Sequence, residues 1–289
     1  MDLAIVREVD CVRLTCADVR RRRPSVDVSE SSQAAPIIGD MNASLLSPNH
    51  LLTGNLDRIA ELGTIVTVWA HPDDETYLAG GLMAVARHLG QRVTCVTATD
   101  GDFAATEPER RRAATVRGRE LDVALSILGV VDRVQFGLRD GECQDVVDRI
   151  GVALIAEVLE SRRPDTVVTF GPDGLTGHPD HRAVARWTAE AVRTTLPQAL
   201  LLCPSATPQM VVDDRDINDR FDVYAPGLPA VHREDELLLD LTVSGPWLDV
   251  KLAALQAHAS QTAGIIDAVG VDRFRRWIAR EPLLAFEQF

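Results

Sequence analysis

Two short stretches of this 289-residue chain combine imidazole and carboxylate side chains at close spacing. The first, AHPDDE, contains His71, Asp73 and Asp74, and the second, GHPDH, contains His178 and His181. Imidazole nitrogen and carboxylate oxygen are ligand types that suit a divalent transition metal, zinc foremost. The two histidines of GHPDH are three positions apart at the start of a predicted helix, so both imidazoles can face one point. Two histidines and one carboxylate would leave a metal with an open position for water.

The residue types also suggest a role for each side chain. We take the zinc ligands to be His71, Asp74 and His181. Asp73 is then a carboxylate next to the water that the metal acidifies, and it can accept the proton of that water. The zinc and a protonated His178 would stabilise the oxyanion that forms when water attacks a carbonyl group. Asp73, once protonated, or His178 can return a proton to a leaving amine. These residues therefore predict metal-assisted hydrolysis of an amide.

Each of these elements also has a purely structural interpretation. A single histidine at a strand end is more often a hydrogen-bonded structural residue than a ligand, and an acidic loop is usually a solvated turn. Asp180 alone would favour a helix N-terminus electrostatically. Glu75 either orients a ligand such as His71 from behind or complements the dipole of its own helix. The recurrence of His-Pro-Asp after two buried strands favours the functional interpretation, because burying such charges without a metal or partner is costly.

The elements that must position these residues alternate between strands and helices. Apolar, β-branched runs predict strands at residues 64–70, 92–101, 132–138, 165–172 and 199–205, and helices of ten or more residues separate them. This alternation predicts an α/β fold with a doubly wound, mostly parallel, Rossmann-like sheet and helices on both faces. Both motifs follow predicted strands, at the edge where such sheets bind their ligands.

The chain is expected to consist of an N-terminal extension and one catalytic domain. Residues 1–40 are rich in Arg, Ser and Pro without helical or strand periodicity, which predicts a disordered or loosely packed extension. The domain is expected to cover 41–289, with an α/β core at 62–205 and a smaller α+β portion at 206–289. In the smaller portion we expect short antiparallel strands and, over 272–289, a last helix.

Composition and charge argue against several classes of function. The formal net charge is −13, so the chain would repel nucleic acids and anionic membranes, and no nucleic-acid partner is expected. No apolar run approaches the roughly 18 residues needed to span a bilayer, and the N-terminus lacks the apolar region of a signal peptide. The five cysteines form no Cys-x-x-Cys pair, and the expected compartment is the cytoplasm. A homo-oligomer is compatible with the sequence.

The paired motifs AHPDDE and GHPDH resemble the LmbE-like family, also called PIG-L, over residues 62 to 262. This is a family of zinc-dependent N-deacetylases. Its members remove acetyl groups from N-acetylglucosamine units of glycolipids, thiol precursors and glycosylated natural products, and one branch cleaves amides of thiol conjugates. The resemblance implies the site roles given above, and one zinc ion, or another divalent transition metal, in each chain. It also implies that the substrate is a small N-acylated amino sugar or glycoconjugate.

Three less specific elements extend the resemblance. VRGREL is similar to a family element that would put Arg117 near the substrate. LRDGE resembles a segment whose aspartate contacts a sugar hydroxyl, which points to Asp140. KLAALQAHASQ resembles a late family element and implies that His258 approaches the cleft. A surface ion pair, a turn and a capped surface helix are the respective structural alternatives. One stretch, TDGDFAATEPER, replaces the glycine-rich segment expected after the second strand, so the cleft wall is expected to differ.

Rival functions make different demands on the sequence. A dinucleotide-binding oxidoreductase needs Gly-x-Gly-x-x-Gly after the first strand, where this chain has His-Pro-Asp-Asp, and we reject it. A non-haem iron oxygenase also uses two histidines and one carboxylate but gives no reason for Asp73. A non-catalytic sugar-binding homologue would be expected to lack Asp73 or a ligand, and all are present. Among hydrolases, sugar N-deacetylation is preferred to thiol-conjugate amidase activity, which shares the metal site and differs in the leaving group.

Overall fold

The computed structural model describes residues 55–288, so the extension predicted at residues 1–40 lies outside the described part of the chain. Within that part, seven strands form one sheet. The strands are β1 (Ile65–Trp69), β2 (Val93–Thr99), β3 (Asp132–Leu138), β4 (Thr166–Val168), β5 (Leu200–Pro204), β6 (Leu239–Thr242) and β7 (Arg280–Ala285). The helices are α1 (Asn55–Glu61), α2 (Asp74–His88), α3 (Glu107–Ile127), α4 (Asp148–Arg162), α5 (Pro179–Thr195), α6 (Pro208–Asp213), α7 (Arg215–Arg220), α8 (Gly245–Ala257), α9 (Ala259–Val269) and α10 (Val271–Trp277).

The strand order is β3-β2-β1-β4-β5-β7-β6, and the pairs among β1 to β5 are parallel. Chain order reverses between β1 and β4, which is the switch point where doubly wound sheets bind ligands. Right-handed crossovers therefore place α2 and α3 on one face of the sheet and α4 and α5 on the other. The predicted fold class is confirmed.

Burial on both faces explains why β1 forms at the centre of the sheet. All five of its residues are buried, and its sequence, IVTVW, is rich in the β-branched and aromatic residues that favour strands. Neighbouring α2 contributes side chains such as Leu82 and Met83, which have no exposed surface. On the same face, α8 packs against α2 and α3 and brings the C-terminal portion over the core. None of the helices within residues 55–288 is long and apolar enough to cross a membrane.

The prediction of a last helix over 272–289 is wrong for its second half. Helix α10 ends at Trp277, and the chain then forms β7, which pairs antiparallel with both β5 and β6. Pro282 explains the change, because a proline inside a helix removes a backbone hydrogen bond and clashes with the preceding turn. In β7 its carbonyl oxygen accepts a hydrogen bond from the backbone N–H of Ser205 at 3.0 Å. Of the short antiparallel strands expected between residues 211 and 245, the structure has β6, whereas the start of that stretch forms α6 and α7.

A buried ion pair stabilises a break in α2. The break lies at Ala79, where φ is −147° and ψ is 16°, and backbone groups next to such a break need partners outside the helix. Glu281 accepts hydrogen bonds from the backbone N–H groups of Gly81 at 2.7 Å and Leu82 at 2.8 Å.

On the other side of the break, Lys251 donates a hydrogen bond from Nζ to the carbonyl oxygen of Tyr77 at 2.9 Å. Lys251 Nζ also lies 2.6 Å from Glu281 Oε1, and neither side chain has any exposed surface. The pair therefore joins both halves of α2 to α8 and β7.

Candidate active site

The two histidine-containing motifs meet because β1 and β4 are parallel neighbours. The first motif lies in the turn from β1 to α2, and the second lies where the long loop after β4 enters α5. Aromatic contacts fix this junction. Trp69 packs edge-on against Phe170 with ring centroids 5.1 Å apart, and Phe170 stacks on the imidazole of His181 at 4.0 Å.

The three predicted metal ligands lie within contact distance of one another. His71 Nδ1 is 3.3 Å from His181 Nε2 and 3.5 Å from Asp74 Oδ2, and His181 Nε2 is 3.4 Å from Asp74 Oδ1. A tetrahedral zinc ion with bonds of about 2.0–2.1 Å needs about 3.3 Å between ligand atoms. Although burial raises the pKa of Asp74, its contacts with His181 and His71 hold that pKa below its usual range. The residues present thus fit a divalent metal.

Hydrogen bonds on the far edge of each ring orient the two imidazoles. His71 Nε2 lies 3.2 Å from a carboxylate oxygen of both Asp140 and Asp180. Burial lowers the pKa of His71, but the bonds to these carboxylates outweigh that effect and raise it well above its usual value. His181 Nδ1 lies 3.0 Å from the carbonyl oxygen of Gly174. Each ring therefore directs its other nitrogen toward the shared point, as in known metal sites.

Asp180 has a role that the sequence analysis did not assign. Its side chain has no exposed surface and accepts backbone hydrogen bonds from Gly141 at 2.7 Å and Cys143 at 3.0 Å. The ligand atoms of His71, Asp140 and Asp180 also lie within 4.8 Å of one another. Because backbone N–H groups already occupy both oxygens of Asp180, we interpret it as the residue that orients His71. The recurrence of His-Pro-Asp in both motifs is the sequence feature that could have indicated a role for Asp180.

His178 lies at the N-terminus of α5, beside the two other histidines. Its Nδ1 accepts a hydrogen bond from the backbone N–H of Asp180 at 3.2 Å, which leaves the ring proton on Nε2. Burial and then the nearby His71 lower the pKa of His178. The structure therefore favours a neutral imidazole rather than the protonated form expected from the sequence. A neutral His178 can still donate a hydrogen bond from Nε2.

Asp73 has an unusual backbone conformation and a raised pKa. Its φ is 120°, a region that favours glycine, and its backbone N–H donates to Glu75 Oε2 at 2.9 Å. Such strain costs about 1–3 kcal/mol and is frequent at active sites. Burial raises the pKa of Asp73 to about 7, although the Arg117 guanidinium, with Nη2 at 3.4 Å from Asp73 Oδ2, opposes the rise. A carboxyl group with this pKa can accept and return a proton near neutral pH.

Glu75 accepts a hydrogen bond from the backbone of Asp73, and His258 in turn contacts Glu75. His258 has no exposed surface, and its Nε2 lies 2.9 Å from Glu75 Oε1. Burial lowers the pKa of His258, but Glu75 raises it above its usual value. His258 thus contacts Glu75 rather than the cleft, and Glu75 binds the backbone of Asp73 rather than His71. A substrate-binding role for His258 stays a prediction.

Arg117 and Asp140 form a buried pair next to Asp73. Arg117 donates to Asp140 Oδ2 at 3.2 Å and to the carbonyl oxygen of Pro72 at 2.7 Å. Each residue is 8% exposed, so neither the surface ion pair nor the simple turn describes them. Gly101 makes room for this arginine, because a Cβ there would lie 2.8 Å from Arg117 Cδ. Contact of either side chain with a substrate stays a prediction.

A cleft of about 270 Å³ opens beside Asp73, Asp74 and His181. Its walls come from α2, the loop after β4, the segment from β5 to residue 224, α9, the end of α10 and β7. The larger apolar and aromatic side chains that line it are Tyr77, Leu78, Leu175, Met210, Val211, Val223, Tyr224, Ile265, Trp277 and Ile278. The sequence did not show which loops form these walls, and most of them belong to the C-terminal portion.

Comparison with known proteins identifies the family. The sequence profile described as PIG-L, GlcNAc-PI de-N-acetylase, matches residues 66–192. A protein of Mycobacterium sp. (strain JLS), named 1D-myo-inositol 2-acetamido-2-deoxy-alpha-D-glucopyranoside deacetylase, is 30% identical over 230 residues, covering 68% of this chain and 73% of that protein. The chain belongs to the PIG-L family. This family acts on N-acetyl amides, the reaction class predicted from the site residues.

Two further comparisons concern the sequence and the fold of this PIG-L protein. A protein of Bacillus anthracis named "Probable N-acetyl-alpha-D-glucosaminyl L-malate deacetylase 2" is 29% identical over 229 residues, covering 75% of this chain and 92% of that protein. The solved structure of N,N'-diacetylchitobiose deacetylase from Pyrococcus horikoshii superposes with a TM-score of 0.56 and 21% identity, covering 78% of this chain and 84% of that one. The second comparison shows that the fold is shared.

Proposed function

We propose that this chain is a metal-dependent N-deacylase that hydrolyses the N-acyl amide of a small molecule or glycoconjugate containing N-acylglucosamine. The observation that carries the proposal is the position of Asp73, a largely buried carboxyl group held by Arg117 next to the donor set of His71, Asp74 and His181. The named substrates of the Mycobacterium and Bacillus anthracis relatives, both N-acetylglucosaminyl compounds, support the sugar class.

Zinc is the proposed metal, because two imidazole nitrogens and one carboxylate oxygen suit it. When bound, such an ion polarises the amide carbonyl group and makes a water molecule more acidic. The protein contributes the orientation of its donors. Asp140 and Asp180 hold His71 by Nε2, and the carbonyl oxygen of Gly174 holds His181 by Nδ1, so little rearrangement is needed.

The remaining steps are proton transfers by residues of this chain. Asp73 accepts a proton from water as the water oxygen bonds to the amide carbon. His178 keeps its proton and donates a hydrogen bond from Nε2–H to the carbonyl oxygen as negative charge develops there. Asp73 then gives the proton to the amide nitrogen, the C–N bond breaks, and the products are a carboxylic acid and a free amine. Arg117 holds the Asp73 carboxylate through its Nη2, 3.4 Å away.

Replacing the base tests this proposal. The measurement is acetate release from a panel of N-acetylglucosaminides, with and without added zinc. Asp73→Asn is expected to lower kcat/KM about 10²–10⁴-fold, the usual contribution of a general base, and to leave the zinc content unchanged by elemental analysis. The control is Asp249→Asn, because Asp249 lies on α8 with its side chain 60% exposed. This variant should keep the wild-type rate.

Two results would contradict the proposal. Retained activity in Asp73→Asn would show that another group takes the proton. Bound iron with oxygen-dependent turnover would instead indicate an oxygenase.

A further inference from the structure

The cleft is larger and less polar than an acetyl group requires. A methyl group is close in size to a water molecule, which needs about 10–15 Å³ of cavity volume on the same measure, whereas the cleft measures about 270 Å³. Residues from five separate elements or loops give it an apolar lining: Tyr77, Leu175, Met210, Val211, Ile265 and Trp277. Apolar surface of this kind gains free energy only when a ligand covers it.

Apart from Asp73, Asp74 and His181, the charged residues that line the cleft have protein partners. Asp214 lies 3.0 Å from Arg273 Nη2, and Arg280 lies 2.9 Å from Asp240 Oδ2. Glu281, which also borders the cleft, is paired with Lys251 as described above. None of these three charges needs a polar ligand, although the cleft is also lined by Asn218, whose buried Oδ1 has no hydrogen-bond partner.

Arg117 and Asp140, the residues predicted to contact the sugar, lie on the Nε2 side of the His71 ring. Asp140 contacts Nε2 of that ring, whereas Asp74 and His181 face Nδ1. Neither Asp140 nor its partner Arg117 lines the cleft. The substituents on the nitrogen and on the carbon of a trans amide point in opposite directions. A sugar held on the Arg117–Asp140 side therefore directs the acyl chain into the apolar cleft.

We propose that this cleft binds the acyl chain of the substrate and that the preferred substrates are N-acylated amino sugars with an apolar acyl group longer than acetyl. The inference rests on the proposed function and specifies the substrate class of that same site. Full burial of one methylene is worth about 0.8 kcal/mol, or roughly fourfold in kcat/KM. Extending acetyl to hexanoyl adds four carbons, so the rise is expected to be at least tenfold and at most a few hundredfold.

The first test is a chain-length series of N-acetyl-, N-butanoyl-, N-hexanoyl- and N-octanoylglucosamine with the zinc-loaded protein. The expected result is a rise in kcat/KM with chain length. A flat or falling series, with acetyl turnover measurable, would overturn this inference and leave the proposed function intact. A parallel arm uses the octyl glycoside of N-acetylglucosamine. If its apolar aglycone raises kcat/KM and a longer acyl chain does not, the orientation is reversed and the inference fails.

Adjacent residues on α6 offer a matched pair of variants. Val211 lines the cleft, whereas Val212 points away from it and is 61% exposed. Val211→Asp is expected to lower the ratio of hexanoyl to acetyl kcat/KM at least tenfold. Val212→Asp introduces the same charge one residue later and should preserve the ratio. Equal ratios in the two variants would overturn the inference.

A binding measurement separates this inference from the proposed function. Trp277 lines the cleft and is half-buried, whereas the other three tryptophans, Trp69, Trp187 and Trp247, are buried. If no N-acylglucosamine is hydrolysed, the proposed function fails. N-Octanoylglucosamine should nevertheless change the Trp277 fluorescence saturably at concentrations at least tenfold below those needed for the acetyl compound. Trp277→Phe should abolish the signal, and equal responses to both compounds would overturn the inference.

Discussion

Replacing both members of the Lys251–Glu281 pair should strongly destabilise this protein. Exchanging a buried ion pair for apolar residues is often neutral or stabilising, because the desolvation cost disappears with the charges. Here the pair also binds three backbone groups at the break in α2: Tyr77 O, Gly81 N and Leu82 N. In the double variant Lys251→Met/Glu281→Leu these groups lose their partners. At about 1–3 kcal/mol for each group, the expected cost is roughly 3–9 kcal/mol.

Thermal unfolding monitored by circular dichroism measures this effect. A chain of this size loses about 2–4 °C in Tm per kcal/mol, so the double variant should unfold at least about 6 °C below the wild type. The control is Arg193→Gln/Glu190→Gln, which removes an ion pair of the same length, 2.6 Å, from the exposed face of α5. Its Tm should equal that of the wild type, since exposed ion pairs contribute little to stability. A Lys251→Met/Glu281→Leu variant as stable as the wild type would show that the backbone groups at the break in α2 do not need this pair as hydrogen-bond partners.

Three further predictions concern the base, the orienting carboxylate and the core. In metal-free protein the folded-state pKa of Asp73, about 7, exceeds its ordinary value of 3.8. Ionisation therefore opposes folding, and stability should fall as pH rises from about 4 to 7. The Tm advantage of Asp73→Asn over the wild type, measured with a chelator, should grow across that range and level off above it. A constant difference would contradict the raised pKa. Asp180→Asn should weaken zinc affinity about 10–100-fold in a competition titration, and an unchanged affinity would rule out its orienting role. Gly151→Ala should lower Tm despite the better helix propensity of alanine, because the new Cβ would lie 2.1 Å from the Trp187 ring. Overpacking of this kind costs about 1–3 kcal/mol, and an unchanged or raised Tm would show that the ring can move aside.

The position of the donor set could be predicted because local signals determine it. A run of buried β-branched residues ends at Trp69, and the next residues change abruptly to His-Pro-Asp-Asp. The second His-Pro-Asp motif follows β4 after a longer loop, at the start of α5. Parallel strands end at one edge of the sheet, so two such motifs are expected to meet there once the alternation of strands and helices is recognised.

Features that depend on distant contacts could not be predicted. The role of Asp180 depends on two backbone N–H groups from the loop after β3. The neutral state of His178 depends on burial and on the nearby His71. The cleft walls come from segments that are adjacent only after β7 inserts between β5 and β6. The spacing and composition of one segment do not indicate which distant segments will pack against it.

The backbone at position 73 has a practical consequence for engineering. Its φ of 120° is one that glycine adopts without penalty and that any other residue adopts at a cost. Asp73→Gly would relieve this strain and also remove a buried carboxyl group that resists ionisation. A screen that scores only heat tolerance would therefore enrich this variant, which the proposed mechanism predicts to be inactive, so a thermostability campaign on this scaffold must select for turnover in every round.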